Sequence, residues 1–135
     1  METLRLNLKR TRDIRNPHEY VQAVHGECSD WVFDEEEAPN YRGRWREKIF
    51  QNSGPLDLEI GTGNGFFFAQ RASQYPERSL LGIEIKYKPL IQAVRRARKT
   101  GATNMRMMRY DGKLVHQLFE ENELDDVFIL SLIHI

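Results

Sequence analysis

Apolar positions follow two different patterns along this chain, and the change falls near residue 55. Beyond that point short apolar runs alternate with stretches of helical spacing. Residues 56–60 predict a strand, and Phe67, Phe68 and Ala72 predict a helix behind it. Residues 80–85 predict a second strand. Pro89 then opens a helix with Leu90, Ala93, Val94 and Ala97 on one face, and Gly101 closes it. Residues 105–110 predict a third strand, Leu114, Val115, Leu118 and Phe119 a short helix, and residues 127–129 a fourth strand. Strand and helix alternating at this interval imply a parallel sheet with right-handed crossovers, the first half of a doubly wound α/β fold.

Residues 1–50 read differently, as an extension with helical and flexible parts. Leu4, Leu6 and Leu8 alternate weakly and predict a short strand, followed by a flexible arm carrying Lys9, Arg10, Arg12 and Arg15. Asn16-Pro17-His18-Glu19 has the form of a capped helix start, and the helix through Tyr20, Val21 and Val24 is expected to stop at Gly26. The acidic run at residues 34–39 reads as a solvated loop. Asn40 is expected to cap a second helix bearing Trp45, Ile49 and Phe50, which Ser53-Gly54-Pro55 ends.

Composition narrows the class. A chain of 135 residues with 40% hydrophobic side chains supports one packed domain, and no apolar run approaches the ~20 residues needed to span a bilayer. Charges near the amino terminus stand where a signal peptide needs its apolar core. The single cysteine, Cys28, cannot form an internal disulfide, and His18, His25 and Cys28 lack a fourth ligand for a zinc site. A reducing cytoplasm fits these features. Twenty basic residues balance twenty acidic ones, which excludes a uniformly basic coat or an acidic tail. The balance is uneven: residues 86–113 carry nine basic side chains and one acid.

The turn after the first βα strand is the sharpest chemical feature. Glycines at 61, 63 and 65 allow a tight turn and close approach of backbone to a ligand. A dinucleotide fingerprint, G-x-G-x-x-G, would need glycine where Phe66 stands. Glu59, just before the turn, would repel a pyrophosphate but suits the cationic end of S-adenosylmethionine. Glu84 ends the second strand about 20 residues beyond the turn, where an acid meets ribose hydroxyls, and Asp111 follows the third strand, where an adenine amino group would lie. Three acids at neighbouring strand ends converge on one crevice.

Leu58-Glu59-Ile60-Gly61-Thr62-Gly63-Asn64-Gly65, Leu81-Gly82-Ile83-Glu84-Ile85, and Thr103-Asn104-Met105-Arg106 running into Arg109-Tyr110-Asp111-Gly112 together resemble the tRNA (guanine-N7)-methyltransferase family. Glu123-Leu124-Asp125-Asp126-Val127 continues the likeness, which covers roughly residues 45–129. The resemblance implies a Rossmann-like class I methyltransferase that transfers a methyl group from S-adenosylmethionine to N7 of a guanosine in the tRNA variable loop. It further implies that Glu59, Gly61, Gly63, Glu84 and Asp111 hold the cofactor, so that residues 51–129 form the cofactor-binding half of a domain. The first 40 residues match only loosely and receive no role from it.

The family's Pro-Asp-Pro-Trp segment, with its catalytic Asp and substrate contacts, is expected after the fourth strand and does not occur here. Catalytic residues are therefore expected beyond residue 129, and the chain reads as an incomplete, inactive fragment truncated after about four strands. Residues 130–135, Leu-Ser-Leu-Ile-His-Ile, back-translate to CTG TCT CTT ATA CAC ATC, which resembles a transposon-library adapter; the expectation is a non-native tail. A sheet cut at this point is expected to leave an open edge and partly uncovered helices.

For an RNA substrate the basic segment has two readings. Arg95, Arg96, Arg98 and Lys99 crowd the end of a helix, where its dipole favours cations. Alternatively Lys86, Lys88, Arg95 and Arg96 contact phosphates, with Arg10, Arg12 and Arg15 as further candidates. Competing readings are a methyltransferase for a protein or small molecule, a non-catalytic cofactor-binding fragment, and a nicotinamide dehydrogenase, which Glu59 and Phe66 disfavour.

Overall fold

The computed structural model describes residues 8–129. Their centre is a five-stranded parallel sheet made of β1 (Val32–Phe33), β2 (Leu56–Ile60), β3 (Ser79–Ile83), β4 (Met105–Met108) and β5 (Asp126–Ile129), in the order β1-β4-β3-β2-β5. This is an α/β Rossmann-like sheet. The α-helices are α1 (Glu19–His25), α2 (Phe66–Gln74) and α3 (Tyr87–Lys99). None of the described helices is long and apolar enough to cross a membrane.

The expected strand count was four among residues 51–129, and those four occur. The fifth, β1, lies in the amino-terminal extension and pairs Val32 with Met107 and Phe33 with Met108. Two residues are too few to show a period, so only the sheet edge offered by β4 defines it as a strand.

Two apolar clusters sandwich the sheet. Phe68, Ala69 and Ala72 of α2 and Leu90, Ile91, Val94 and Ala97 of α3 pack on one face with Val24, Met105 and Met107. On the other face Trp45, Leu56, Leu58, Leu81, Ile83, Met108, Leu114 and Leu118 form the second core. Neighbouring positions of one strand feed opposite clusters, as a period of two requires. At the amino ends of the strands, buried Asp57 accepts from Arg78 Nε at 2.7 Å and Nη2 at 2.8 Å, and Arg78 Nη2 also reaches Asp126 at 3.0 Å, which ties β5 to β2. Val127 and Ile129 on β5 remain 48% exposed.

The amino-terminal region corrects several expectations. The strand expected over residues 4–8 lies almost wholly outside the described residues. The arm expected over residues 9–15 is anchored at one point and otherwise largely exposed: Thr11 is buried, and its backbone N–H and its hydroxyl both donate to Glu35. Asn16 has φ 49°, a left-handed geometry unsuited to an N-cap, and His18 caps α1 instead, with Nδ1 accepting from Tyr20 N at 3.2 Å. The acidic run at 34–39 is no solvated loop. Asp34 and Glu35 are buried because specific donors meet them: His25 Nε2 lies 2.7 Å from Asp34 Oδ2, and the N–H groups of Glu36 and Glu37 donate to Oδ1 at 2.8 Å. Asn40 caps nothing; it lies inside a 3₁₀ turn, Ala38–Tyr41, followed by a π-helical segment, Trp45–Phe50. That segment inserts Trp45 fully into the core, where its indole N–H donates to Leu118 O at 2.9 Å.

Strand and helix boundaries moved by two residues in places. β3 ends at Ile83 and β4 at Met108, while α3 starts at Tyr87. Pro89 is its third residue, a first-turn position where the missing N–H costs nothing. These shifts place Glu84 and Asp111 in loops just past the strands.

Candidate functional site

The strand order reverses at β2: β3 and β4 step to one side of it, and β5 pairs on the other. Such a switch point opens a crevice at the carboxyl ends of the strands, and ligands of open α/β sheets bind there. The loop leaving β2 at this place is Gly61-Thr62-Gly63-Asn64-Gly65, with all three glycines at positive φ.

Each glycine does something different. Gly61 N donates to Ile83 O at 2.8 Å, which continues the β2–β3 ladder into the turn. A Cβ on Gly65 would lie 2.4 Å from Ala93 Cα, so this glycine lets α2 start against α3. A Cβ on Gly63 would meet nothing within 4 Å, and the backbone there borders open space. Gly63, unlike Gly65, thus leaves room for a ligand beside its backbone.

Glu59 is fully buried on β2, and among the described residues neither carboxylate oxygen has a hydrogen-bond partner; Thr62 Oγ1 is likewise buried and unpartnered there. Burial pushes the Glu59 carboxyl up to about 8, against a smaller opposing pull from Arg71. A carboxylate without partners in low dielectric is costly, and native structures keep such groups where a ligand or function offsets the cost. Glu84 is half-buried and well occupied. Its Oε1 accepts from Gly63 N at 3.2 Å, and its Oε2 accepts from Ile85 N at 2.9 Å and Lys86 N at 3.3 Å. Asp111 caps the 3₁₀ turn Gly112–Gln117, with Oδ1 accepting from Lys113 N at 2.9 Å. The hydrogen bonds place Glu84 directly against the glycine turn, and a Cβ on Gly112 would lie 2.5 Å from Ile60 Cγ2, which brings the loop of Asp111 to the end of β2.

Residues 53–130 match a family model described as "Putative methyltransferase". The chain belongs to this methyltransferase family. Curated relatives agree in kind. A tRNA (guanine-N(7)-)-methyltransferase of Bdellovibrio bacteriovorus is 44% identical over 109 residues, covering 79% of this chain and 52% of the relative. Proteins of the same name from Bacillus velezensis and Levilactobacillus brevis are 34% and 33% identical, covering 66% and 65% of this chain and 41% and 40% of their own. The methyltransferase chain thus spans about half the length of the relatives it matches, or somewhat less.

The basic residues of the methyltransferase chain divide into two kinds. Arg95 is engaged, donating to Glu27 at 3.0 and 2.8 Å, and Arg96 donates to Asn64 O at 2.9 Å while its guanidinium lies 3.7 Å from the centre of the Phe66 ring. Lys86 and Lys88 are exposed, and their side chains enter no ion pair or hydrogen bond among the described residues. In the amino-terminal segment Arg10 pairs with Asp13 and Arg12 with Glu36.

Sequence reasoning missed two groups beside this crevice. Thr62 lay inside the glycine motif, but nothing in a motif shows that a hydroxyl will be buried without a partner. Arg109 and Glu35 form a buried ion pair across 74 residues of sequence. Arg109 Nε also donates to Ile85 O at 2.9 Å, and its guanidinium covers the Tyr87 ring at 4.3 Å. The pair therefore holds the loop after Glu84, and no local pattern links its members.

Proposed function

We propose that this chain supplies the S-adenosylmethionine-binding part of a tRNA (guanine-N7)-methyltransferase. The observation that carries the reading is the buried, unpartnered carboxylate of Glu59 beside a glycine turn with open space at Gly63. A cationic cofactor satisfies such a group, whereas a pyrophosphate would be repelled by it. Glu59 and Thr62 would meet the polar cationic end of the cofactor, Gly61 and Gly63 would give close backbone approach, Glu84 would accept from the ribose hydroxyls, and Asp111 would accept from the adenine amino group. Glu84 retains acceptor capacity for this, since a carboxylate offers about four lone-pair sites and three are used.

Bound there by Glu59, Thr62, Gly61, Gly63, Glu84 and Asp111, the cofactor would supply a transferable methyl group on a sulfonium to guanine N7 in the complete enzyme. Attack by N7 needs no strong base, so the protein's task is alignment and exclusion of water. The names of the relatives support tRNA as the substrate, and two unpaired lysines beside the crevice, Lys86 and Lys88, suit its phosphates. Arg95 and Arg96 are available only after exchanging their present partners. An RNA substrate and a buried thiol at Cys28 fit the cytoplasm.

Calorimetric titration tests the cofactor. Saturable binding of S-adenosylmethionine without binding of NAD is expected, and binding of NAD alone would overturn the assignment. Filter binding tests the substrate class: bulk tRNA should be retained by the cofactor-loaded chain, and failure to retain it would favour a protein or small-molecule substrate.

A further inference from the structure

A cleft lies beside the cofactor crevice. It measures about 550 Å³, and its walls include His18, Tyr20, Lys86, Tyr87, Lys88 and Arg109. Ile85 at its floor follows Glu84 directly, and Arg109 stands two residues before Asp111. Whatever occupies the cleft therefore lies next to the proposed cofactor site.

The lining is unusual in two ways. Lys86 is the N-cap of α3 and Lys88 stands in its first turn, which contains no acid. Cations at the positive end of a 13-residue helix are electrostatically misplaced, and neither lysine's ammonium group has a partner among the described residues. Facing them are three aromatic rings. His18 meets Tyr87 edge-on with centroids 6.2 Å apart and Tyr20 at 6.0 Å. Tyr87 is held firmly, since the Arg109 guanidinium covers its ring at 4.3 Å and its hydroxyl lies 2.9 Å from Thr11 Oγ1. Glu19 also lines the cleft, and the charge of Arg109 is matched by Glu35, so the free positive charge belongs to the two lysines.

We propose that this cleft is a subsite for one unstacked nucleotide of the RNA substrate. Its base lies against Tyr87 and His18, and its phosphate is met by Lys86 and Lys88. The proposal rests on the tRNA reading above and adds the place where the strand is gripped. Aromatic rings flanked by cations are how proteins hold single-stranded nucleic acid, and the volume falls within the roughly 300–1,000 Å³ of small-molecule pockets.

The test is binding of bulk tRNA to the whole chain at several salt concentrations. Lys86→Ala/Lys88→Ala should weaken binding about tenfold near physiological salt and lower the slope of log K against log salt by about one to two. Removing two positive charges elsewhere, by Arg44→Ala/Lys48→Ala, should do much less. His18→Asn keeps a side chain able to cap α1. It should weaken binding about fivefold with the salt slope unaltered, because it removes a base contact and not a phosphate contact. Each variant is checked for a cooperative thermal transition. If the unmodified chain binds no tRNA, the tRNA reading itself fails. If it binds and both cleft variants bind equally well with the same slope, only the subsite is overturned. A parallel loss of S-adenosylmethionine affinity would assign the cleft to the cofactor, and tight binding of guanosine monophosphate with tRNA affinity untouched would make it a free-nucleotide site; either overturns the proposal.

Discussion

Gly63 N donates a hydrogen bond to Glu84 Oε1 at 3.2 Å, so one carboxylate joins the turn after β2 to the loop after β3. Its second oxygen serves the N–H groups of Ile85 and Lys86. Glu84→Gln keeps only one carbonyl oxygen and must abandon one side of this bridge. Glu84→Ala abandons both. Stability should fall by about 1 kcal/mol and about 1–2 kcal/mol respectively in denaturant melts, and S-adenosylmethionine affinity by tenfold or more in calorimetry. Unaltered affinity with reduced stability would leave Glu84 a purely structural brace.

Glu59 makes stability depend on pH with an uncommon sign. Its carboxyl titrates near 8 in the folded chain against an ordinary value of 4.5, because burial disfavours the charged form. Below pH 4.5 both folded and unfolded chains hold the proton, and the contribution is fully present. Between 4.5 and about 8 only the folded chain holds it, so stability falls as pH rises, by up to about 1.4 kcal/mol per unit. Glu59→Gln should be the more stable protein at pH 8 and should flatten this part of the profile, measured by urea unfolding from pH 5 to 8.5. Asp34 and Asp125, held below the usual range, act with the opposite sign in a separate acidic window. A cationic ligand beside Glu59 lowers its pKa, so cofactor binding near pH 7 should release up to one proton. Calorimetric enthalpies in buffers of different ionisation enthalpy read that release directly.

Three glycines separate strain from ligand contact. Gly63→Ala and Gly101→Ala both add a Cβ in open space at positive φ, 57° and 84°. Each should cost about 1–2 kcal/mol of backbone strain. Only Gly63→Ala should also reduce S-adenosylmethionine affinity, because its Cβ enters the crevice. Gly65→Ala adds a clash with the α3 backbone at 2.4 Å and should destabilise more than either. Thermal midpoints and calorimetry on the three variants order these effects.

The sheet was legible in the sequence wherever a strand had both a period and a turn to bound it. β2, β3, β4 and β5 satisfy that, as do α2 and α3. The glycine turn and the acids at strand ends were legible for the same reason: their spacing is local. What escaped reading was set by contacts across the chain. β1 exists because β4 offers it a partner. The acidic run at 34–39 looked solvated because nothing nearby in sequence announces Arg109, 74 positions away from Glu35. The capping of α1 was misplaced by two residues because Asn16 and His18 are both able to accept from an N–H, and only the left-handed φ of Asn16 decides between them.

The Arg109–Glu35 pair provides the last test, because it connects the amino-terminal segment to the loop that leads out of β3. Glu35 accepts from Thr11 and from Arg109, and Arg109 also holds Ile85 O and Lys9 O at 2.9 and 3.0 Å. Arg109→Met leaves a buried carboxylate with only Thr11 as partner, and should cost about 3–5 kcal/mol. Glu35→Gln/Arg109→Met removes both charges and should cost less than the sum of the single changes, a coupling that a double-mutant cycle in urea measures. Residues 85–88 lose the Ile85 O contact and the cover over the Tyr87 ring in both backgrounds, so trypsin should cut at Lys86 faster than in the unmodified chain even under conditions where the sheet stays folded. Additive energies and an unchanged rate of cleavage would mean that the pair fills space without holding the loop.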